Sequence, residues 1–194
     1  MSRRLAIALV HRPVLDKEGL VVTTALTNID VHDLARSART YGCSDYFIVH
    51  PVEVQRELAT RIVTHWTEGS SAKRIPDRKD ALAVVRAVAT LDDAVAALGP
   101  DVEVWVTAAR VLEGKTTISF DDARVRLEGA GGPVLLVFGT GWGLAPEVVD
   151  RAHGVLEPIR GPVPWNHLSV RSACAIALDR LCAPQRARSS AGPA

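Results

Sequence analysis

Cysteine is scarce and poorly placed for any staple. Only Cys43, Cys174 and Cys182 occur in 194 residues, and no two stand in C-x-x-C spacing. An odd, scattered set excludes a disulfide framework and a cysteine zinc site. Reduced, mostly buried thiols of a cytoplasmic protein are expected instead. His11, His50, His65 and His153 show no metal-ligand spacing, so no metal site is expected. No apolar run approaches a membrane span, so no membrane contact is expected. The first apolar segment, ending at His11-Arg12-Pro13, is too short for a signal core. Charge excess is almost absent, at a formal net +1. A wide nucleic-acid footprint is therefore not built into the overall composition, and any such contact must come from local patches. Internal repeats and interdomain linkers are also missing.

What remains is the composition of one globular domain, 47% hydrophobic and 23% charged. It is expected to span residues 1–183, with 184–194 as a disordered tail. The chain is organised around Pro133 to Leu144. Pro133 to Phe138 reads as a strand buried on both faces. Gly139, Gly141 and Gly143 follow at alternate positions, where backbone can approach a ligand with no Cβ in the way. Pro146 then suits the first turn of a helix. Strand, glycine loop and helix N-terminus form a ligand-binding edge of α/β sheets. A dinucleotide loop would want G-x-G-x-x-G early in the chain, and this one is G-x-G-x-G and late.

Strand and helix patterns alternate along the chain, so the class is α/β with a mostly parallel sheet flanked by helices. Leu5 to Val10 reads as a strand, Asp16 to Gly19 as a turn and Leu20 to Thr24 as a short extended return. A helix capped by Asn28 or Asp30 ends at Gly42, and Tyr46 to Val49 is the next strand. Pro51 starts a helix to about Trp66, with Val54, Leu58, Ile62 and Trp66 on its buried face. Thr67 to Asp80 reads as a polar loop carrying Lys73, Arg74, Arg78 and Lys79. Ala83 to Ala89 and Val102 to Val106 read as strands, with a helix from Asp92 to Leu98 between them. A weak helix from Phe120 to Leu127, a strand near Val155 to Ile159 and a helix from Ser169 to Cys182 complete the pattern.

Three segments carry a resemblance. Asp30 to Gly42 resembles N-x-G-x-x-x-R-x-A-x-x-x-G, matching at Arg36, Ala38 and Gly42, with Asp30 and His32 in place of Asn and Gly. Phe138 to Leu144 (F-G-T-G-W-G-L) resembles a second motif, and Asn166 to Leu178 (N-H-L-S-V-R-S-A-C-A-I-A-L) a third. In this order they resemble the SPOUT class of RNA methyltransferases, closest to a small bacterial RNA methyltransferase-like group. The resemblance covers Leu5 to Leu181. It implies a C-terminal trefoil knot, an S-adenosyl-L-methionine site within it, an RNA substrate and a homodimer.

By resemblance, Phe138, Gly139, Thr140, Gly141 and Gly143 line one side of the cofactor, Ile159 a second, and His167, Leu168 and Val170 a third. Thr107 and Ala108 face its methionine portion. Arg36 matches the family's reactive arginine. A guanidinium stays protonated, so it is expected to hold a phosphate or ribose oxygen. His32 is a candidate base, because histidine titrates near neutrality. Asn166, Ser169 and Arg171 crowd the other side. Ser169 and Arg171 stand where the ribose-2′-O branch shows Asn and Ser, which leaves base methylation open. A catalytically inactive module that keeps the fold and binds RNA or protein is the alternative.

Overall fold

The computed structural model describes residues 2–68 and 73–184. The expected disordered tail at 185–194 lies outside the described residues, as does the 69–72 part of the expected polar loop. Nine strands are seen among the described residues: β1 (Leu5–Val10), β2 (Val14–Leu15), β3 (Val21–Val22), β4 (Tyr46–Val49), β5 (Val85–Val88), β6 (Glu103–Thr107), β7 (Thr117–Ile118), β8 (Val134–Gly139) and β9 (Gly154–Leu156). Seven helices lie among the described residues: α1 (Asn28–Thr40), α2 (Glu53–Thr67), α3 (Pro76–Leu82), α4 (Leu91–Leu98), α5 (Phe120–Glu128), α6 (Pro146–Asp150) and α7 (Val170–Cys182).

Seven strands form one sheet in the order β5-β4-β1-β8-β6-β9-β7, and every pairing in it is parallel. Burial on both faces explains the unbroken apolar runs of β1, β4 and β8. Along β1, Leu5, Ile7 and Leu9 face one core with α1, α5 and α7. Ala6, Ala8 and Val10 face a second core with α4 and α6. This strict alternation places helices on both sides of the sheet. Strands β8 and β9 come late in the chain yet sit inside the sheet, β8 between β1 and β6, and β9 between β6 and β7.

Local chemistry sets the helix ends. The Thr27 hydroxyl caps α1 by accepting from the Asp30 N–H, so neither expected cap, Asn28 or Asp30, holds that place. Gly42 follows α1 with φ +73°, which suits glycine. Thr90 and Asp93 form a reciprocal capping box on α4. The Ser169 hydroxyl accepts from the Ser172 N–H at the start of α7.

Two expectations are corrected. The segment 67–80 is not all loop, because Pro76 occupies the first turn of α3, which packs against α1 and α2. The buried face of α2 is also turned. Val54 is 66% exposed and Leu58 39%, while Ala59, Ile62, Val63 and Trp66 meet the core. These four recur at i, i+3, i+4 and i+7, and small Ala59 lets the helix lie close to its neighbours. The short strand β7 carries no clear sequence signal and had no counterpart in the sequence reading.

Candidate functional site

The loops after β1, β6, β8 and β9 all leave the carboxyl edge of the parallel sheet. The order in which strands are added reverses between β1 and β8, since β4 and β5 lie to one side and β6, β9 and β7 to the other. Such a switch point is where open α/β sheets take ligands. The glycine loop begins there.

Backbone hydrogen bonds hold that loop against β2. Trp142 N–H donates to the Leu15 carbonyl at 2.9 Å, and Leu15 N–H donates to the Gly143 carbonyl at 2.9 Å. Ala145 N–H reaches the Pro13 carbonyl at 3.2 Å, and Val14 bridges Leu144. Gly141 has φ +58°, and a Cβ there would lie 2.7 Å from the Leu15 carbonyl oxygen. At Gly143, with φ +112°, an added Cβ would meet nothing within 4 Å. Gly141 is thus required by the protein's own backbone, while Gly143 borders open space.

A half-buried hydroxyl chain, not foreseen in the sequence, fixes Thr140. The Thr140 hydroxyl donates to the Val10 carbonyl at 3.1 Å. It therefore accepts from the Thr24 hydroxyl at 2.5 Å. Thr24, with its hydrogen used, accepts from His11 Nδ1–H at 3.0 Å. That assigns the proton to Nδ1 and leaves His11 Nε2 a buried acceptor with no partner. His50 takes the other tautomer. Its Nδ1 accepts from Val52 N–H at 3.1 Å, so Nε2–H donates to the Thr24 carbonyl at 3.0 Å. The two rings lie 5.1 Å apart between centroids. The available signal was a histidine directly after each of two buried strands, Val10–His11 and Val49–His50.

Burial, reinforced by nearby His50, pushes the His11 pKa down to about 4. The folded protein therefore keeps this ring neutral where an unfolded chain, with its ordinary value of 6.5, takes up a proton. Between these values the unfolded state binds more protons, so stability must fall as pH drops from about 6.5 towards 4. Urea unfolding across that range should show this slope, and His11→Asn should flatten it. Equal slopes for the two proteins would show that His11 is not the group responsible.

The remaining expected site residues separate into three groups. Asn166 Nδ2 donates to the Ala109 carbonyl at 2.6 Å, tying the loop after β9 to the loop after β6 beside Ala108. Thr107 spends its hydroxyl on the Val137 carbonyl at 3.0 Å. Ile159 and Val170 are partly buried against the first core, Ala108 packs on the second, and Phe138 is buried. Leu168 is 44% exposed, and His167 leans on exposed Trp165 at 4.8 Å between ring centroids.

In the second group, Arg171 joins the third motif to the first. Its Nη1 lies 2.6 Å from Asp30 Oδ1, and its Nε 3.7 Å from Asp33 Oδ2. Asp30 is buried and also accepts from the Thr27 hydroxyl at 2.5 Å. Arg171 thus clamps α7 to α1. Because it holds both carboxylates, Arg36 forms no ion pair among the described residues and projects into solvent.

The third group is His32 alone. Its ring stands edge-on to Trp66, 5.7 Å between centroids, with Nδ1 buried and unpartnered. Burial is the main force lowering its pKa, and the charges of Arg78 and Arg36 act in the same direction. The structure places it against Trp66 of α2, on whose ring Arg78 of α3 also stacks.

Burial raises all three thiols, Cys174 to about 12 and Cys182 to about 11, with Cys43 higher still. They stay protonated and unreactive. Among the described residues no group of three His, Cys, Asp or Glu side chains is placed to hold a metal ion. Nor is any helix there long and apolar enough to cross a membrane.

A family model described as SAM-dependent RNA methyltransferase matches residues 4–183. A tRNA (guanine-N(1)-)-methyltransferase of Oleidesulfovibrio alaskensis is 43% identical over 184 residues, which cover 93% of this chain and 42% of that protein. This chain therefore spans less than half the length of that relative. An uncharacterized protein of Aquifex aeolicus is 35% identical over 192 residues, covering 96% of this chain and 92% of its own length. Among solved structures, TrmJ from Z. mobilis ZM4 superposes with a TM-score of 0.63 at 18% identity, over 95% of this chain and 70% of that one. At such identity the likeness is one of fold.

Proposed function

The chain belongs to the family of SAM-dependent RNA methyltransferases, and we propose that it moves a methyl group from S-adenosylmethionine to a nucleotide of RNA. The observation that carries this reading is that three fixed loops leave the same edge of the sheet. The glycine loop is fixed by β2 and by the His11–Thr24–Thr140 chain. The Asn166 loop is fixed to the loop after β6. The residues present fit the cofactor: Gly143 offers backbone beside open space, Leu168 offers exposed apolar surface, and Ile159 and Val170 back them. Thr107, Ala108, Phe138, Gly139, Thr140, Gly141, Gly143, Ile159, His167, Leu168 and Val170 are the proposed cofactor residues. The C-terminal trefoil knot is part of this reading, supported by the late insertion of β8 and β9 into the interior of the sheet.

Bound S-adenosylmethionine supplies an electrophilic methyl group on a sulfonium. The protein's task is then to place the nucleophile and to accept its proton. Arg36, on the exposed side of α1 with no carboxylate to hold it, is free to grip a phosphate or ribose oxygen. Arg171, already neutralised by Asp30 and Asp33, is proposed to position α1 against α7 and through them Arg36 and Ser169. His32 is wedged against Trp66 and supports the α1 surface there; its lowered pKa keeps the ring in the unprotonated form that a general base requires, so it stays a proposed base.

tRNA is the proposed substrate class, from the activity for which the longer relative is named. The acceptor atom is a base nitrogen or a ribose 2′-oxygen, and nucleoside mass spectrometry of tRNA with and without the gene would identify it. Recovery of identical nucleosides from tRNA and ribosomal RNA in both strains would remove the proposal. Arg36→Ala should leave fold and cofactor affinity nearly unchanged and slow transfer at least tenfold, about 1.4 kcal/mol in the barrier. Equal transfer rates would remove Arg36 from the site.

A single domain over residues 1–183, a cytoplasmic location and a homodimer complete the proposal. Reduced thiols support the location. Light scattering should give twice the 20.8 kDa of one chain. A concentration-independent mass of one chain would contradict the dimer.

A further inference from the structure

Helix α3 and the residues just before it bring a group of cations beside α1. Lys73, Arg74, Arg78 and Lys79 fall in eight residues that hold only two carboxylates, Asp77 and Asp80. None of the four forms an ion pair among the described residues, and Lys73, Arg74 and Lys79 are exposed. Arg3, Arg86, Lys115 and Arg151, by contrast, hold carboxylates. Arg78 is oriented as well as unpaired. Its guanidinium carbon lies 4.5 Å from the centre of the Trp66 ring, on which His32 abuts from α1. A guanidinium stacked on indole keeps its N–H edges free and loses little freedom when it binds a planar pair of oxygens. Arg36 lies one turn after His32 on α1, so it emerges on the same side. The charges of Arg36 and Arg78 both act on His32, which places the two guanidiniums around one spot.

We propose that α3 and Arg36 together form a phosphate-binding face that receives the RNA backbone beside the target nucleotide. The proposal rests on the reading of the chain as an RNA methyltransferase. It gives the near-neutral molecule the local positive patch that its net charge conceals. RNA is the favoured occupant because the cations flank Arg36, the residue proposed to meet the substrate. A stacked guanidinium is also suited to phosphate oxygens.

The test is binding of bulk bacterial tRNA by the full chain over a range of salt. Arg78→Ala/Lys79→Ala should bind about tenfold more weakly than wild type, with a salt slope shallower by about two. Lys73→Ala/Lys79→Ala touches only exposed side chains, so it keeps its fold and should show the same direction. Lys17→Ala/Arg126→Ala, the same charge change elsewhere, should bind as wild type. Unchanged affinity and slope in the α3 variants would overturn the proposal, as would equal loss in the control. Calorimetry with S-adenosylhomocysteine separates the two claims. If wild type binds that cofactor product while wild type and α3 variants hold tRNA alike, the face fails and the enzyme reading stands. If wild type does not bind it, the enzyme reading fails, and the tRNA comparison still judges the face.

Discussion

Arg171→Ala is expected to lower folding stability by about 2–4 kcal/mol, read as the free energy of urea unfolding. The carboxylate of Asp30 is buried, and Arg171 lies 2.6 Å from it. Removing one partner of a buried ion pair strands the other charge, which costs about 3–5 kcal/mol when water cannot reach it. Here the Arg171 side chain is 32% exposed, so water replaces part of the loss and the lower values apply. The Thr27 hydroxyl bond to Asp30 would remain but cannot neutralise it. Adding Asp30→Asn should recover much of the stability, because the stranded charge is then gone. The outcome also separates two roles. A residue that only grips RNA would lose transfer at unchanged stability. If Arg171→Ala unfolds like wild type and loses only transfer, the clamp reading is wrong and the sequence assignment to the reacting centre is restored.

Gly141→Val should weaken S-adenosylhomocysteine binding at least tenfold, about 1.4 kcal/mol. The cause differs from the one that glycine spacing suggests. At φ +58° an L-residue costs about 1–2 kcal/mol, and the new Cβ would press on the Leu15 carbonyl, a backbone atom with nowhere to move. That carbonyl also accepts from Trp142 N–H. Valine must therefore push the loop off β2, and the shape of the cofactor edge goes with it. Gly143→Ala separates the causes, because no protein atom lies within 4 Å of an added Cβ there. Any loss in that variant comes from the side where the cofactor is proposed to lie, and not from pressure on β2. Unchanged affinity in a folded Gly141→Val protein would take the loop out of the cofactor site.

Much of the fold was legible along the chain. The strand Leu5–Val10 and the strand Tyr46–Val49 appear as read, since a run buried on both faces has no polar interruption. Gly42 and Ser169 mark helix ends because a left-handed residue and a hydroxyl cap act within one turn. Helix α3 was hidden because two cations and two carboxylates mask a seven-residue helix whose main apolar contacts are Ala81 and Leu82. The face of α2 was misread because its apolar residues span more than one stripe, and only the neighbouring elements select which stripe is covered.

For the site, local sequence determined which segments could approach a ligand: the glycine loop, the Asn166 segment and the first turns of α1 and α7. Backbone freedom and capping are properties of a few adjacent residues, so a linear reading reaches them. Tertiary structure decided what those residues touch. It gave Arg171 to Asp30, 141 positions away, and so left Arg36 unpaired. It joined His11 and Thr24 to Thr140 in one directed hydrogen-bond chain, and it set Gly141 against Leu15. Such pairings depend on strand order, above all on the placing of β8 between β1 and β6, and no local propensity encodes the neighbour that a late strand will find.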